Sequence, residues 1–143
     1  MTQQKMRKIS FSALLNSEEI HFVEKFIDLE MELTRRGFSI ASHGRIDWNK
    51  IQNKYSYEVQ DDQQAAKAVT EIIQAYNLTG SAMLVWTDAN LNPLTIEIDD
   101  ICKYAVEICE EDWDCWIISV SNNWVIEKYH EGEVCYASGG DVL

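Results

Sequence analysis

The chain has 143 residues, 46% of them hydrophobic and 10% aromatic, with one proline and six glycines. This composition excludes a disordered tail and predicts one globular domain over residues 1–143, in which residues 1–12 are a flexible segment or an edge strand. The net charge of −12 argues against nucleic acid or an anionic membrane as a direct ligand and favours a basic partner.

A capping box marks the start of the first predicted helix. Asn16 occupies the N-cap and Glu19 the N3 position, so each side chain can satisfy a backbone N–H group of the first turn. We expect this helix to end at Gly37, with Arg35 and Arg36 in its last turn. Its apolar stripe is expected to contain Ile20, Val23, Phe26, Ile27 and Met31.

The next stretch carries mixed signals. Alternating apolar residues predict a strand over residues 38–42 that turns at Gly44. Within residues 45–60, the segment "DWNKIQNKY" fits a helical turn, whereas "YSYEV" fits a strand.

A second helix is predicted over residues 61–77. Asp61 and Gln64 form its capping pair. Helical spacing gives it an inner face of Val69, Ile72, Ile73 and Tyr76.

A strand pair and a third helix follow. "SAMLVWTD" and "LTIEI" read as strands joined by the turn "ANLNP". We expect Asp99 or Asp100 to cap the third helix, which should end near Trp113 because β-branched residues follow. Its inner face is predicted to hold Ile101, Cys102, Ala105, Ile108 and Cys109.

"CWIISVS" and "WVIEKYH" predict a hairpin, because Asn122 and Asn123 suit a two-residue turn. That turn pairs Val120 with Val125. One face of the hairpin then carries apolar residues interrupted only by Glu127, and the other face is half apolar. A further turn at "EG" leads to a last strand, "EVCYA".

The order of these elements indicates an α+β fold. We expect an antiparallel sheet of about five to seven strands, with three helices packed mainly on one face.

Charge is distributed unevenly along the chain. Residues 1–54 hold nine Lys or Arg and seven Asp or Glu, whereas residues 55–143 hold three and seventeen. The densest stretch is "EICEEDWDCW", residues 107–116, with five carboxylates and two tryptophans. Acids at a helix C-terminus oppose the helix dipole by about 0.3–1 kcal/mol each, and a broken local rule often marks a functional site.

We therefore predict a partner-binding surface in and after this stretch. It combines carboxylates with Trp113 and Trp124, since tryptophan is enriched at binding hot spots. A solvated helix end is the alternative interpretation. The predicted site residues are Glu107, Glu110, Glu111, Asp112, Trp113, Asp114, Trp124 and Glu127.

Catalytic and metal-binding patterns are absent from the sequence. It has no phosphate-binding glycine loop, no H-E-x-x-H and no G-x-S-x-G. We expect no catalytic residue, metal or cofactor. A small enzyme that uses His43 or His130 with a cysteine is the minority hypothesis.

Cysteine spacing and hydropathy bear on the compartment. The four cysteines lie in the last third of the chain without C-x-x-C spacing, so we expect buried thiols. No apolar run approaches the roughly 18 residues that span a bilayer, and the N-terminus lacks the features of a signal peptide. We therefore expect the protein to be located in the cytoplasm.

In size, acidity and layout the chain resembles bacterial immunity proteins that neutralise contact-dependent or polymorphic toxins. The segments that carry this resemblance are "EICEEDWDCW" and "IISVSNNWVIEKYHEGEV". It implies a one-to-one complex with a toxin domain, often a basic nuclease, whose substrate site the acidic surface occludes. An acidic nucleic-acid mimic that blocks a DNA-binding enzyme is a rival, and it predicts carboxylates spread at phosphate spacing along an elongated face.

Overall fold

A computed structural model describes residues 21–22, 28–41, 44–87 and 93–138. These residues form seven strands: β1 His21–Phe22, β2 Lys54–Glu58, β3 Ser81–Trp86, β4 Leu94–Glu97, β5 Cys115–Ser119, β6 Trp124–Tyr129 and β7 Glu133–Ser138. They also form four α-helices, α1 Leu29–Arg35, α2 Asp62–Ala75, α3 Ile98–Lys103 and α4 Ala105–Glu110, and a 3₁₀ turn at Trp48–Lys50. The predicted role of residues 1–12 lies outside the described residues.

The seven strands form one antiparallel sheet in the order β1-β4-β3-β5-β6-β7-β2. This confirms the predicted α+β fold. The β6–β7 turn contains Gly132 at φ +98°, where a Cβ would lie 2.8 Å from the Val59 carbonyl oxygen. Only glycine fits this turn, because it has both a positive φ and no room for a side chain.

Both faces of the central strands of the sheet are buried. The helical face, which includes Leu84, Ile117 and Ile126, packs against α2, α3 and α4. The N-terminal face, which includes Trp116, Ile118 and Val125, packs against residues 33–51. Helices α2, α3 and α4 therefore lie on one face and cover the half-apolar side of the β5–β6 hairpin. Leu33 of α1 packs on the opposite face, so the expectation that the three predicted helices share mainly one face is wrong for the first of them.

The first predicted helix is wrong in the described residues before Leu29. His21–Phe22 pairs with β4 as a strand, and the helix begins only at Leu29, where Asp28 accepts a hydrogen bond from the Met31 N–H group at 3.1 Å. Asp28 is a second capping residue inside the apolar pattern, twelve residues after Asn16, and it is the one that starts the helix. Asn16 lies outside the described residues. Met31 is 65% exposed, so it is not on the inner face.

The end of this helix matches the prediction. Gly37 has φ +95°, and it donates to the Thr34 carbonyl while Phe38 donates to the Leu33 carbonyl. This pair of bonds is the Schellman motif, which requires a residue that tolerates positive φ.

Residues 45–60 contain both the predicted helical turn and the predicted strand, whereas the strand predicted over residues 38–42 is reduced to a single bridge in its described part. Ile40 and Ile46 form an isolated bridge around the turn at Gly44, the 3₁₀ turn begins at Trp48, and the strand-like segment becomes β2. His43 lies outside the described residues.

The second helix is confirmed. Asp61 accepts from the Gln64 N–H group at 2.8 Å, and Val69, Ile72 and Ile73 are buried. Tyr76 was wrongly placed in the core, because it follows the last helical residue and is 39% exposed, stacked on Tyr136.

The third predicted helix is broken into α3 and α4 at Tyr104. Neither predicted aspartate is its cap. Glu97 is the N-cap residue, and Asp99 and Asp100 lie in the first turn because β4 runs directly into α3.

The register of the β5–β6 hairpin also differs from the prediction. Ile118 faces Val125 and the loop spans residues 120–123, because Val120 donates its N–H group to Ser81 of β3 and Ser119 holds the Asn122 N–H group. The shift is two residues, so the side chains within β5 and β6 keep their predicted faces. Val120, which was predicted to face Val125 in the core, lies in the loop instead and is 53% exposed.

All four cysteines are free, and three are buried; Cys102 is half-buried. Burial raises the pKa of Cys109 to about 12 and that of Cys135 to about 11. None of the helices among the described residues is long and apolar enough to span a bilayer.

Candidate functional site

A cleft of about 720 Å³ lies where the start of α2 meets the end of α4. Five carboxylate residues from the two elements line it, together with Trp113, Lys128 and His130. The lining acids are Asp61, Asp62, Glu110, Glu111 and Asp112. Two separate acidic stretches thus converge on one concave surface.

Lys128 explains why acids can gather at the end of a helix. Its ammonium group lies 3.0 Å from the Cys109 carbonyl, 3.0 Å from that of Asp112 and 2.7 Å from that of Trp113. It also pairs with Asp62 at 3.1 Å. A buried cation from β6 therefore satisfies the Cys109 carbonyl in the last turn of α4 and two carbonyls in the loop that follows, and it offsets the negative end of the α4 dipole.

Trp113 is 71% exposed although its backbone is tethered on both sides. Its N–H group donates to the Asp112 carboxylate at 2.8 Å, and its carbonyl accepts from Lys128. The next carbonyl, that of Asp114, accepts from the N–H and hydroxyl groups of Thr87 at 3.2 Å each. The indole is therefore presented to solvent on a fixed segment.

Asp114 and His130 contact each other next to Trp113. The Asp114 carboxylate accepts the His130 backbone N–H group at 2.7 Å and lies 2.9 Å from its ring Nδ1. The His130 ring lies 5.5 Å from Trp113 and 4.6 Å from Tyr129, between ring centroids. Asp114 is only 8% exposed, so its role is to hold the β6–β7 turn against the acidic loop.

Glu127 is a buried anion surrounded by hydrogen-bond donors on the N-terminal face, whereas Lys128 is a buried cation surrounded by acceptors. Its carboxylate is fully buried and accepts four hydrogen bonds of 2.8–2.9 Å, from Arg45 Nε, the Ile46 N–H group and the indoles of Trp48 and Trp116. Burial lowers the pKa of Arg45, but the carboxylates of Glu127 and Glu133 outweigh it and raise that pKa. This charge pair fastens residues 45–48 to the sheet.

The predicted site residues fall into three groups. Glu110, Glu111, Asp112 and Trp113 come together around the cleft, although Glu111 is 7% exposed. Glu107 is half-buried one turn earlier on α4, and Asp114 lies beneath Trp113. Trp124 packs under the helices at 4% exposure and Glu127 is a buried acceptor, so these two predicted site residues do not lie at the surface.

Sequence reasoning missed Asp61, Asp62 and Lys128 as members of the site. Asp61 was assigned only to capping, which it does perform. Lys128 is separated from the carbonyls it binds by 15–19 residues. Its one available signal was position, since a lysine alternating with buried apolar residues on β6 must either reach the edge or find buried acceptors.

His130 contacts a carboxylate rather than a cysteine, which differs from the arrangement that the enzyme hypothesis required. In the described part of the chain, no group of three or more His, Cys, Asp or Glu residues is arranged to hold a metal ion.

Comparison with known proteins gives one family. The family described as CdiI immunity protein EcoliA0-like matches residues 8–137, a range that includes the cleft and both buried charges. No curated protein matches the chain significantly.

Proposed function

Because the chain belongs to the EcoliA0-like CdiI immunity proteins, which neutralise toxins, we propose that it binds its cognate toxin domain through the carboxylate-lined cleft and Trp113. In this proposal the bound surface covers the active site of the toxin, and the toxin domain is basic. The receiving cell needs this protection in its cytoplasm, so we place the protein there.

One observation carries the proposal: an exposed indole on a tethered loop at the rim of an acidic cleft. Tryptophan supplies a large contact area with only two side-chain torsions to immobilise. Since Lys128 and Thr87 already hold the backbone, little further ordering is needed when a partner docks. Preorganisation of this kind increases affinity by reducing the entropy cost of binding.

The charges favour a nuclease as the toxin. A nuclease binds phosphates, so its substrate site presents lysine and arginine side chains. Carboxylates from the start of α2 and the end of α4 form a matching anionic surface. They cluster around one cleft, which fits occlusion of a single site better than mimicry of an extended nucleic acid.

The test compares association rates for two double variants with the same change in charge. Glu110→Gln with Asp112→Asn removes two acids from the cleft, and asparagine keeps the oxygen that accepts the Trp113 N–H group. We expect the association rate with the cognate toxin domain to fall about tenfold at low salt. Its dependence on ionic strength should flatten, because fewer long-range charge interactions remain to be screened.

Glu30→Gln with Asp99→Asn is the control, since both residues are exposed and lie outside the cleft. It should leave the association rate within about twofold of that of the parent. Equal losses in the two variants would show that only net charge matters and would remove the cleft from the proposed function.

A further inference from the structure

The sheet ends at β2, whose residues are mostly exposed. Lys54, Tyr55, Ser56 and Glu58 are exposed and Tyr57 is half-buried. Among the described residues, no strand lies on the outer side of β2. An exposed sheet edge offers a row of N–H and C=O groups for pairing with another strand.

The direction of those groups follows from the pairing with β7. Val59, directly after β2, donates its N–H group to the Gly132 carbonyl at 2.9 Å, and the register places Tyr57 opposite Val134. In an antiparallel ladder, residues that bond to one neighbour alternate with residues that bond to the other. Lys54, Ser56 and Glu58 therefore direct their N–H and C=O groups outward.

The sequence "KYSYE" of β2 is self-complementary about its centre. If a second copy pairs antiparallel with Ser56 opposite Ser56, Lys54 faces Glu58 and Tyr55 faces Tyr57, each pair occurring twice. The outward groups of these three residues then meet in six backbone hydrogen bonds. Opposite charges and aromatic pairs directly across an antiparallel ladder stabilise it.

We propose that two copies of this protein associate through β2, joining their sheets across a two-fold axis at Ser56. The two faces of the sheet agree with this register. Lys54 and Glu58 lie on the same face as Cys135, because Ser56 between them contacts its sulfur. Lys54 already bonds the Trp48 carbonyl at 2.6 Å, and its ammonium group has two further N–H groups for the partner's Glu58.

A tyrosine cluster on the other face extends the contact. Tyr55 lies 5.7 Å from Tyr57 and 5.6 Å from Tyr76, and Tyr76 stacks on Tyr136 at 4.3 Å, between ring centroids. Tyr55 is 49% exposed. The two-fold axis brings each Tyr55 to the partner's Tyr57 and buries the most exposed rings of both clusters.

The net charge of −12 per chain opposes association at low ionic strength. We therefore expect a dimer at physiological salt, where the Debye length is about 8 Å, with its population rising with protein concentration. Sedimentation velocity of the full chain from micromolar concentrations to about 1 mM measures this directly. A chain that stays monomeric throughout overturns the proposal.

Charge reversal tests the register. Lys54→Glu places a carboxylate against the partner's Glu58, and we expect the dimer dissociation constant to rise at least about tenfold. Adding Glu58→Lys restores opposite charges across the axis and should recover the dimer, although the bond from the side chain at position 54 to the Trp48 carbonyl stays lost. A dimer that survives the single change, or that the double change fails to recover, refutes this pairing.

Ser56→Pro tests the backbone bonds separately. The ring removes an outward N–H group that the β2–β7 ladder does not use, and proline is tolerated on an edge strand in this position. Far-ultraviolet circular dichroism checks that the variant is folded. A folded variant that still dimerises like the parent refutes edge pairing, whereas a folded monomer supports it.

Discussion

Glu127 and Lys128 are neighbours on β6 that carry opposite charges into opposite faces of the sheet. Glu127 receives four donors, one of them from Arg45, and so fixes residues 45–48 to the N-terminal face. Lys128 binds three carbonyls and Asp62, and so fixes the loop after α4 to the helical face.

The two regions differ in what remains after the buried charge is satisfied. Around Glu127 the donors are two indoles, a backbone N–H group and one guanidinium, and the indoles of Trp48 and Trp116 are themselves buried. Around Lys128 one cation serves a cleft lined by five acidic residues, with Trp113 exposed at its rim. The region around Glu127 is therefore part of the core, whereas the region around Lys128 keeps an excess of carboxylates at the surface in fixed positions.

Replacement of Glu127 by glutamine should have the largest effect on folding. The amide NH₂ would face two of the four donors, and Arg45 would lose its buried counter-charge, so we expect a loss of about 3–5 kcal/mol in the free energy of unfolding. Urea denaturation followed by tryptophan fluorescence measures it. Glu133→Gln is the control, because Glu133 also pairs with Arg45 but its side chain is 38% exposed, and it should cost less than about 1 kcal/mol.

If the Glu127 and Glu133 variants lose equal stability, the contrast between a buried and a surface carboxylate fails. The four hydrogen bonds would then contribute no more than an ordinary ion pair.

Replacement of Lys128 by methionine should have a smaller effect on stability and a second effect on binding. Three carbonyls lose a charged donor, which we expect to cost about 2 kcal/mol of unfolding free energy. Because the loop that carries Trp113 loses its tether, affinity for the toxin domain should fall as well. Asp62→Asn removes only the ion pair with a half-exposed carboxylate, so it should change stability by less than about 1 kcal/mol.

A Lys128→Met protein that unfolds earlier yet binds the toxin domain with unchanged affinity would separate the two effects. The tether would then serve folding alone.

Replacement of Trp113 by alanine should have little effect on stability and a large effect on affinity for the toxin domain. The side chain is 71% exposed, so stability should change by no more than about 0.5 kcal/mol. Affinity should fall by on the order of 2 kcal/mol or more, mainly through faster dissociation. Calorimetry and binding kinetics supply both numbers.

Met31→Ala is the matched control for Trp113, because Met31 is also a large exposed apolar side chain, at 65%, but lies on α1. It should leave affinity unchanged. Equal affinities for the Trp113 variant and the parent would leave the acidic loop as a solvated helix end.

Local patterns predicted most elements of the fold, but not the contacts that define the site. Helix α2 was recognisable because its cap and its inner face agree, and Gly37 marked the end of α1. The start of α1 was missed because Asn16 and Asp28 are both good caps, and pairing with β4 decides between them. The roles of Glu127 and Lys128 depend on distant partners, which periodicity does not reveal.

Thiol labelling offers the finest test of whether the two regions open independently. Cys135 lies on the side of Glu127, with its sulfur 3.7 Å from Arg45, whereas the carbonyl of Cys109 binds Lys128. Burial raises the pKa of Cys109 to about 12 and that of Cys135 to about 11, so each thiol reacts near pH 8 only after local opening. Half-buried Cys102 should label first in the parent protein.

Each variant should then expose its own cysteine. In Lys128→Met, labelling of Cys109 should accelerate while that of Cys135 stays unchanged, and Glu127→Gln should do the reverse. The rate of labelling follows the open population, so an expected gain of about tenfold corresponds to about 1.4 kcal/mol of local stability. Mass spectrometry of the labelled peptides resolves the two sites under conditions where global unfolding is negligible. Equal acceleration of both cysteines in either variant would mean that the two faces open as one unit, and the separate roles of Glu127 and Lys128 would not hold.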